Sequence, residues 1–212
     1  MNIAIFGASG ATGRLLTERC LAAGHHVSAL VRNPDNFPFC DRVRVVQDPG
    51  FKHARVRQVI EHSDAVLSAL GAHTLVREDV IEHALPVILR VMRTVGVQRI
   101  VVLGAAGAKP GSLARQPAPV RWFVQHVIYD NFLKWPMRSQ QFQYETLSAS
   151  DLDWTMVLPP KLRNTAPRRR HRVDTEALPP RAFQISRADV ADFMIAQLTH
   201  SEYSRQAVYI AW

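Results

Sequence analysis

The sequence predicts an α/β fold, a Rossmann-type doubly wound parallel sheet of about seven strands with helices on both faces. Three observations carry this expectation. Short apolar runs alternate with helix-period stretches through the first half of the chain. Three glycines, Gly7, Gly10 and Gly13, separate the first run from the first helix. The length of 212 residues, 47% of them hydrophobic and 21% charged, suits one globular domain over residues 1–212.

Asn2–Phe6 is apolar and stops at a glycine, which reads as a buried strand. From Ala11 to Ala23 apolar side chains recur at Leu15, Leu16, Cys20 and Leu21, and Gly24 ends this helix. His26–Val31 and Arg42–Val46 read as the next strands, His53–Ile60 as a helix, and Ala65–Leu70 as a strand closed by Gly71. The stripe Ile81, Leu85, Ile88, Leu89, Met92, Val95 marks a helix over Val80–Val95. Pro86 inside it should kink the helix or mark its true first turn. Arg99–Leu103 is a further strand, and Gly104–Pro119 reads as a loop. Val120–Leu133 and Arg138–Ser148 look helical, with a break at Trp135-Pro136. Trp154–Leu158 is a strand ending at paired prolines. Residues 161–185 are polar and basic, with short strands expected near Arg172–Asp174 and Phe183–Ile185. Ser186 should cap a helix to Leu198, and Ala207–Ala211 is the last strand.

No apolar stretch reaches the roughly 18 residues of a membrane span, so no membrane partner is expected. The N-terminal run lacks a basic region and stops at Gly7, and the two cysteines are too few for a disulfide framework. Both point to the cytoplasm. The net charge is +8, with 22 Arg and only 4 Lys. Guanidinium suits phosphates, so the excess fits nucleic acid or anionic small molecules. Five arginines fall together at Arg163, Arg168, Arg169, Arg170 and Arg172 and the rest are scattered, which argues against a nucleic-acid stripe.

The segment Gly7-Ala8-Ser9-Gly10-Ala11-Thr12-Gly13 leaves a strand and opens a helix, the context of a dinucleotide loop. Gly7 permits the tight turn, Gly10 lets backbone approach a pyrophosphate, and Gly13 lets the helix pack close to the sheet. Free N–H groups at the helix start favour the phosphates. Ser9, Ala11 and Thr12 complete this cofactor-binding set. Nineteen residues after Gly13 stands Arg32, where an NAD site wants an acid. A guanidinium there pairs with a 2′-phosphate, and Arg14 can add to it, so NADP is expected over NAD. The plain alternative is a solvated strand-end charge. Asp48 can accept from the adenine amino group, or simply build the turn before Pro49-Gly50. Leu70, Gly71 and Ala72 close the fourth strand and should flank the cofactor. Gly104 and Ala105 close the fifth and should lie near the nicotinamide.

These residues, with Asp153–Pro160 and Ile185–Ala191, resemble the atypical short-chain dehydrogenases with an NAD(P)H-binding, NmrA-like fold. Within them the chain looks most like the flavin reductase and biliverdin-IXβ reductase branch. The resemblance covers nearly the whole chain and is looser from 104 to 185. It implies NADPH as hydride donor, flavins or other flat conjugated acceptors, and Pro159 beside the cofactor; some relatives are redox sensors. Four departures stand out. Ala105 occupies the place of a Ser common in that branch. Lys161 follows the prolines where His is common. Gln140 or Gln141 lies near a further His position, and Asn36 replaces a second 2′-phosphate Arg.

The Tyr-x-x-x-Lys dyad of typical relatives is missing. Lys134 lies five residues after Tyr129, which on an α-helix turns it off the Tyr face. Reduction of a conjugated ring needs stacking and proximity more than a general acid. Lys161 is then the candidate catalytic cation, or a solvated loop lysine, and Arg163 is equally ambiguous. His25, His26, His62 and His83 show no metal-ligand spacing with Cys or carboxylate partners, so no metal is expected. Trp122, Phe123, Phe132 and Trp135 can line a flat acceptor's site or merely pack a helix. His126 can face that site or be an ordinary core or surface His. The Arg168–Arg172 run can attract an acidic substrate or be a solvated or disordered loop. The expected function is an NADPH-dependent oxidoreductase acting on a small flat acceptor, with the acceptor segments within 104–185. The alternatives are an NADP-binding sensor or partner-binding protein without turnover, and a sugar-nucleotide or quinone-linked enzyme.

Overall fold

Seven parallel strands and one antiparallel edge strand make the central sheet of the computed structural model, which describes residues 1–71 and 76–212. In chain order the elements are β1 (Asn2–Phe6), α1 (Ala11–Ala22), β2 (His26–Val31), β3 (Arg44–Gln47), α2 (His53–Ile60), β4 (Ala65–Ser68), α3 (Val80–Val95) and β5 (Arg99–Leu103). There follow α4 (Ala118–Phe123), a π-helical segment Val124–Phe132, α5 (Lys134–Ser148), β6 (Asp153–Leu158), β7 (Lys161–Arg163), β8 (Arg172–Asp174), β9 (Gln184–Ser186), α6 (Arg187–Ala196) and β10 (Gln206–Ala211). The sheet runs β3-β2-β1-β4-β5-β6-β10-β8, and only β8 is antiparallel to its neighbour. The strand order reverses between β1 and β4, where Ile5 pairs with Leu67. In an open α/β sheet a ligand lies at such a switch point, at the carboxyl ends of the strands.

Every residue of β4 and β5 is buried, as expected of parallel strands covered on both faces. One core packs α2, α3 and α5 on the sheet through Ile81, Leu85, Ile88, Met92 and Leu147. The other packs α1 and α6 through Leu16, Cys20, Val190 and Met194. Burial pushes the Cys20 thiol up to about 12, so it behaves as a small apolar residue. At the amino ends of the strands, the buried Arg99 guanidinium donates to Asp153 Oδ1 (3.0 Å), Thr155 Oγ1 (2.8 Å) and the Gln197 carbonyl (2.6 and 3.0 Å). It ties β5, β6 and the end of α6 together.

Most sequence-read elements are in place within one or two residues, and Pro86 lies inside a continuous α3. The differences gather after β5. Residues Ala106–Ala108 form a 3-10 turn within the expected loop. The helical break falls at Leu133, because Pro136 sits in the first turn of α5, where its missing N–H has no partner to lose. The stretch before it is α-helical only to Phe123. From Val124 it bonds i to i+5, and Leu133 N donates to Ile128 O at 2.9 Å. The third strand lies at Arg44–Gln47 rather than Arg42–Val46. The strand β7 was not expected; it pairs in parallel with β9 as a separate ribbon.

Candidate dinucleotide and acceptor site

Gly7 turns the chain off β1 with φ +77°, and a Cβ there would lie 2.7 Å from the Ala69 backbone. The turn therefore passes against the end of β4. Gly10 donates its N–H to Gly7 O (3.1 Å) and precedes α1, whose start has neither a side-chain cap nor an acidic residue in the first turn. That leaves the positive end of the helix and its first N–H groups for an anion. At Gly13 a Cβ would fall 2.0 Å from Gly7 O, so the buried first turn of α1 rests directly on the loop's backbone. A cradle whose close approaches fall at glycines, below an uncapped helix start, fits a pyrophosphate. Ser9, Ala11 and Thr12 are part of that cradle, Thr12 buried and Ala11 exposed.

Arg32 is exposed directly after β2. Arg14 is spoken for: its Nε donates to Ser9 O (2.9 Å) and its terminal nitrogen to Asn36 O (3.1 Å). It thus straps the phosphate loop to the turn after β2. Asp48 is 3% exposed, and its two oxygens accept from Gly50 N (3.2 Å) and Lys52 N (2.6 Å). It builds the turn into α2, one of the two readings its sequence position allowed.

Leu70 and Gly71 continue from β4 beside the cradle; Ala72 lies outside the described residues. Gly104 N donates to Val157 O (2.8 Å) and Ala106 N to Pro159 O (2.9 Å), so the ends of β5 and β6 are joined around extended Ala105 and buried Pro159. Beside Gly104 the buried Gln140 directs an Oε1 that has no hydrogen-bond partner among the described residues. Lys161 is exposed at the start of β7, held by its backbone N–H to Phe183 O (3.3 Å).

Four residues past the end of β5 a cavity of about 1010 Å³ opens, between the 3-10 turn, α4, the π segment and α5. Gly107 floors it, against the ring of Tyr129 and the sulfur of Met137. Its charged walls are Lys109, Arg121, Lys134 and Arg138, with no carboxylate among the described lining residues. His126 lines the wall too, with its ring 5.5 Å from that of Trp122, which is 62% exposed at the rim. Neither Phe123, exposed on α4, nor Trp135 lines the cavity, and the side chain of Phe132 lies outside what is described. Lys161 and Arg163 are not lining residues either. Sequence reading named Lys134 only as lying off the Tyr129 face and missed Lys109, Arg121 and Arg138, because the four cations are scattered over thirty residues of loop and helix. The loop after the 3-10 turn, α4 and the start of α5 supply them to one cavity.

The arginine run is an exposed loop tied down through its backbone. Asp189, 2% exposed, accepts from the backbone N–H of Arg168 (3.0 Å) and Arg169 (2.8 Å), from Trp212 Nε1 (3.0 Å) and from the Ser186 hydroxyl (2.6 Å). Burial is the largest single influence on this carboxyl and opposes its charge. Those hydrogen bonds together still hold its pKa below the usual carboxylate range. The Arg168 guanidinium stacks 3.8 Å from the Trp212 ring centroid, and Arg169 takes a left-handed φ of +54°. The pattern Ser186-x-x-Asp189 is a capping-box spacing with Asp as the acid, and it was the available signal.

A family model described as NAD(P)H-binding matches residues 7–201 of this chain. The chain belongs to that family. Among solved structures, one from Burkholderia pseudomallei, given as a candidate exported protein, is 27% identical, with a TM-score of 0.80 and both chains covered in full. A short-chain dehydrogenase/reductase from Veillonella parvula in complex with NADP is 18% identical (TM-score 0.75, 100% of this chain and 94% of that one). The anaerobillin reductase ChuY from Escherichia coli O157:H7 is also 18% identical (TM-score 0.79, 100% and 97%). The fold is that of NAD(P)H-binding oxidoreductases. No helix among the described residues is long and apolar enough to cross a membrane.

Proposed function

We propose that this protein is an NADPH-dependent reductase of a flat, conjugated small molecule bearing carboxylate or phosphate groups. The observation that carries the reading is the cation-lined cavity that begins at Gly107, four residues past the end of β5, in a chain that also carries the glycine cradle after β1. When bound, NADPH supplies the hydride. The Gly7–Gly13 loop and the start of α1 hold the pyrophosphate, with Ser9, Ala11 and Thr12 contributing backbone. Arg32 pairs with the 2′-phosphate, and the Veillonella relative's complex with NADP supports that preference. Asp48 fixes the wall on the adenine side through its turn. Leu70 and Gly71 flank the middle of the dinucleotide, and Gly104, Ala105 and Pro159 border the nicotinamide. Lys109, Arg121, Lys134 and Arg138 draw in the acceptor's acidic groups, and Trp122 offers a face for its ring. Lys161, at the same end of the sheet, is a further cation for the charge that builds up on the acceptor.

The test is NADPH consumption with FMN, FAD and a simple quinone, with NADH in parallel. Turnover faster with NADPH, and faster with FMN than with uncharged riboflavin, is expected. Tight NADPH binding with no turnover on any acceptor would instead make this a dinucleotide sensor.

A further inference from the structure

A second, smaller cavity of about 330 Å³ lies at the opposite end of the sheet from the glycine cradle. That volume is at the lower end of the range of roughly 300–1,000 Å³ for small-molecule sites. The cradle leaves β1 at its end, after Phe6, whereas this cavity is lined by His26 and Arg44, the first residues of β2 and β3. Ser28 pairs with Arg44 in the register of those strands. Because side chains alternate, His26, Ser28 and Arg44 stand on one face of the sheet, the face whose Leu30 and Val46 belong to the core beneath α2. Just past the end of α2, His62 and Ser63 complete that side, and Arg42 enters from the turn before β3.

The fold does not account for these basic groups. Arg19, Arg57, Arg93 and Arg115 each meet a carboxylate. The side chains of His26, Arg42, Arg44 and His62 are exposed and have no partner among the described residues. No carboxylate stands among the described lining residues. The acids flanking His62 are engaged, Glu61 with Arg57 (3.6 Å) and Asp64 with the Asn2 N–H (2.7 Å). Nor do the cations cap helix ends. The Ile60 carbonyl accepts from the N–H groups of His62 (3.0 Å) and Ser63 (2.9 Å), and the Val59 carbonyl from the Ser63 hydroxyl (3.1 Å). The end of α1 is closed likewise, with Cys20 O taking the His25 N–H (2.9 Å) and Leu21 O that of Gly24 (3.1 Å). His62 is moreover held at φ +148°, a backbone conformation that suits glycine better than histidine.

We infer that this cavity binds the phosphate chain of a small molecule, with Arg42 and Arg44 neutralising its charge and His26 and His62 donating ring N–H groups. A guanidinium fork meets phosphate oxygens two at a time. An imidazole donates from one nitrogen when neutral and from both when charged. Ser28 adds a hydroxyl. With each of the four exposed groups contributing about fivefold, the dissociation constant for a triphosphate is on the order of 1 mM. The site stands whether or not the reductase reading does, since it shares no lining residue with the cradle or the cation-lined cavity.

Proton NMR titration of the wild type with inorganic tripolyphosphate tests the site. The imidazole C2–H resonances of His26 and His62, identified by their loss in His26→Asn and His62→Gly, report this cavity, and that of His126 reports the other. The His26 and His62 resonances should saturate together at one affinity. Arg42→Gln combined with Arg44→Gln should weaken that binding about 25-fold, whereas Arg121→Gln should leave it unchanged. His62→Gly, read at His26, should weaken it about fivefold yet raise Tm by about 2–4 °C by releasing the strained backbone. A merely structural histidine would not move affinity and stability in opposite directions. ATP binding more weakly than tripolyphosphate assigns the site to free inorganic phosphate chains, and equal or tighter binding assigns it to a nucleotide. Shifts that never saturate, that the same ionic strength of sodium chloride reproduces, or that keep full affinity in the double arginine variant overturn the site.

Discussion

Gly13→Ala is the sharpest test of the phosphate cradle. The new Cβ would stand 2.0 Å from Gly7 O, 2.7 Å from Gly7 C and 2.8 Å from Ala8 Cα. All three are backbone atoms, so no side-chain rotation relieves the overlap. Ordinary contact begins at 3.4 Å, so the loop and α1 must separate by roughly 1.4 Å. Alanine in a helix gains about 1 kcal/mol over glycine. Overpacking against backbone costs about 3 kcal/mol, the upper part of its usual range. The expected net loss is about 2 kcal/mol, which for a chain of this length lowers Tm by about 4–8 °C. Moving the helix start off the loop should also raise the NADPH dissociation constant at least about tenfold, the equivalent of one charge-assisted hydrogen bond. Thermal unfolding followed by circular dichroism and dinucleotide titration by fluorescence read the two effects. Gly104→Ala is the control, because its closest neighbours are the tips of Met156 and Leu158, which can give way; it should cost less than about 1 kcal/mol. A Gly13→Ala protein with wild-type Tm and affinity would refute the close-packed cradle.

Arg32→Ala should weaken NADPH about 10- to 100-fold and NADH hardly at all; equal losses would show that Arg32 does not meet the 2′-phosphate. Asp189→Asn should cost about 1–3 kcal/mol at neutral pH, since it weakens four converging hydrogen bonds to a buried carboxylate. Because the folded pKa is depressed, that stability is complete above the unfolded carboxyl value of about 3.9 and is lost as pH falls through the folded one. Urea midpoints of the two proteins should therefore converge in acid, and a constant gap down to the lowest pH would contradict the clamp. Lys161→Ala should slow turnover a few-fold, as expected of an exposed cation. An unchanged rate would remove Lys161 from the reaction.

The cofactor half was legible because its signals are local. A glycine triplet between a strand and a helix needs nothing distant to be understood, and β1, α1 and β2 sit where the sequence places them. The acceptor half was not, because its geometry depends on contacts made far along the chain. Gln116 holds the carbonyls of Leu178 and Pro179, and Lys109 Nζ donates to Thr175 O (2.9 Å), so residues 109–117 take their shape from residues 175–181. A π turn has no propensity signature comparable to a cap or a proline, so the shared wall of Tyr129 and Lys134 was invisible to a rule built for α-helices. The role of Asp189 was half visible: Ser186 announced the helix, but its acid also serves a loop twenty residues earlier.

The Arg14 strap bears on how the dinucleotide binds. By joining Ser9 to Asn36 it fixes the glycine loop after β1 and the turn after β2, which on the proposed reading meet the pyrophosphate and the 2′-phosphate, as one body before any ligand arrives. The two halves of the ligand therefore meet a receptor already in register, and the entropy of ordering both segments is lost during folding rather than on association. Cutting the strap without touching a phosphate contact should thus appear as a less favourable binding entropy, with the bound geometry unchanged.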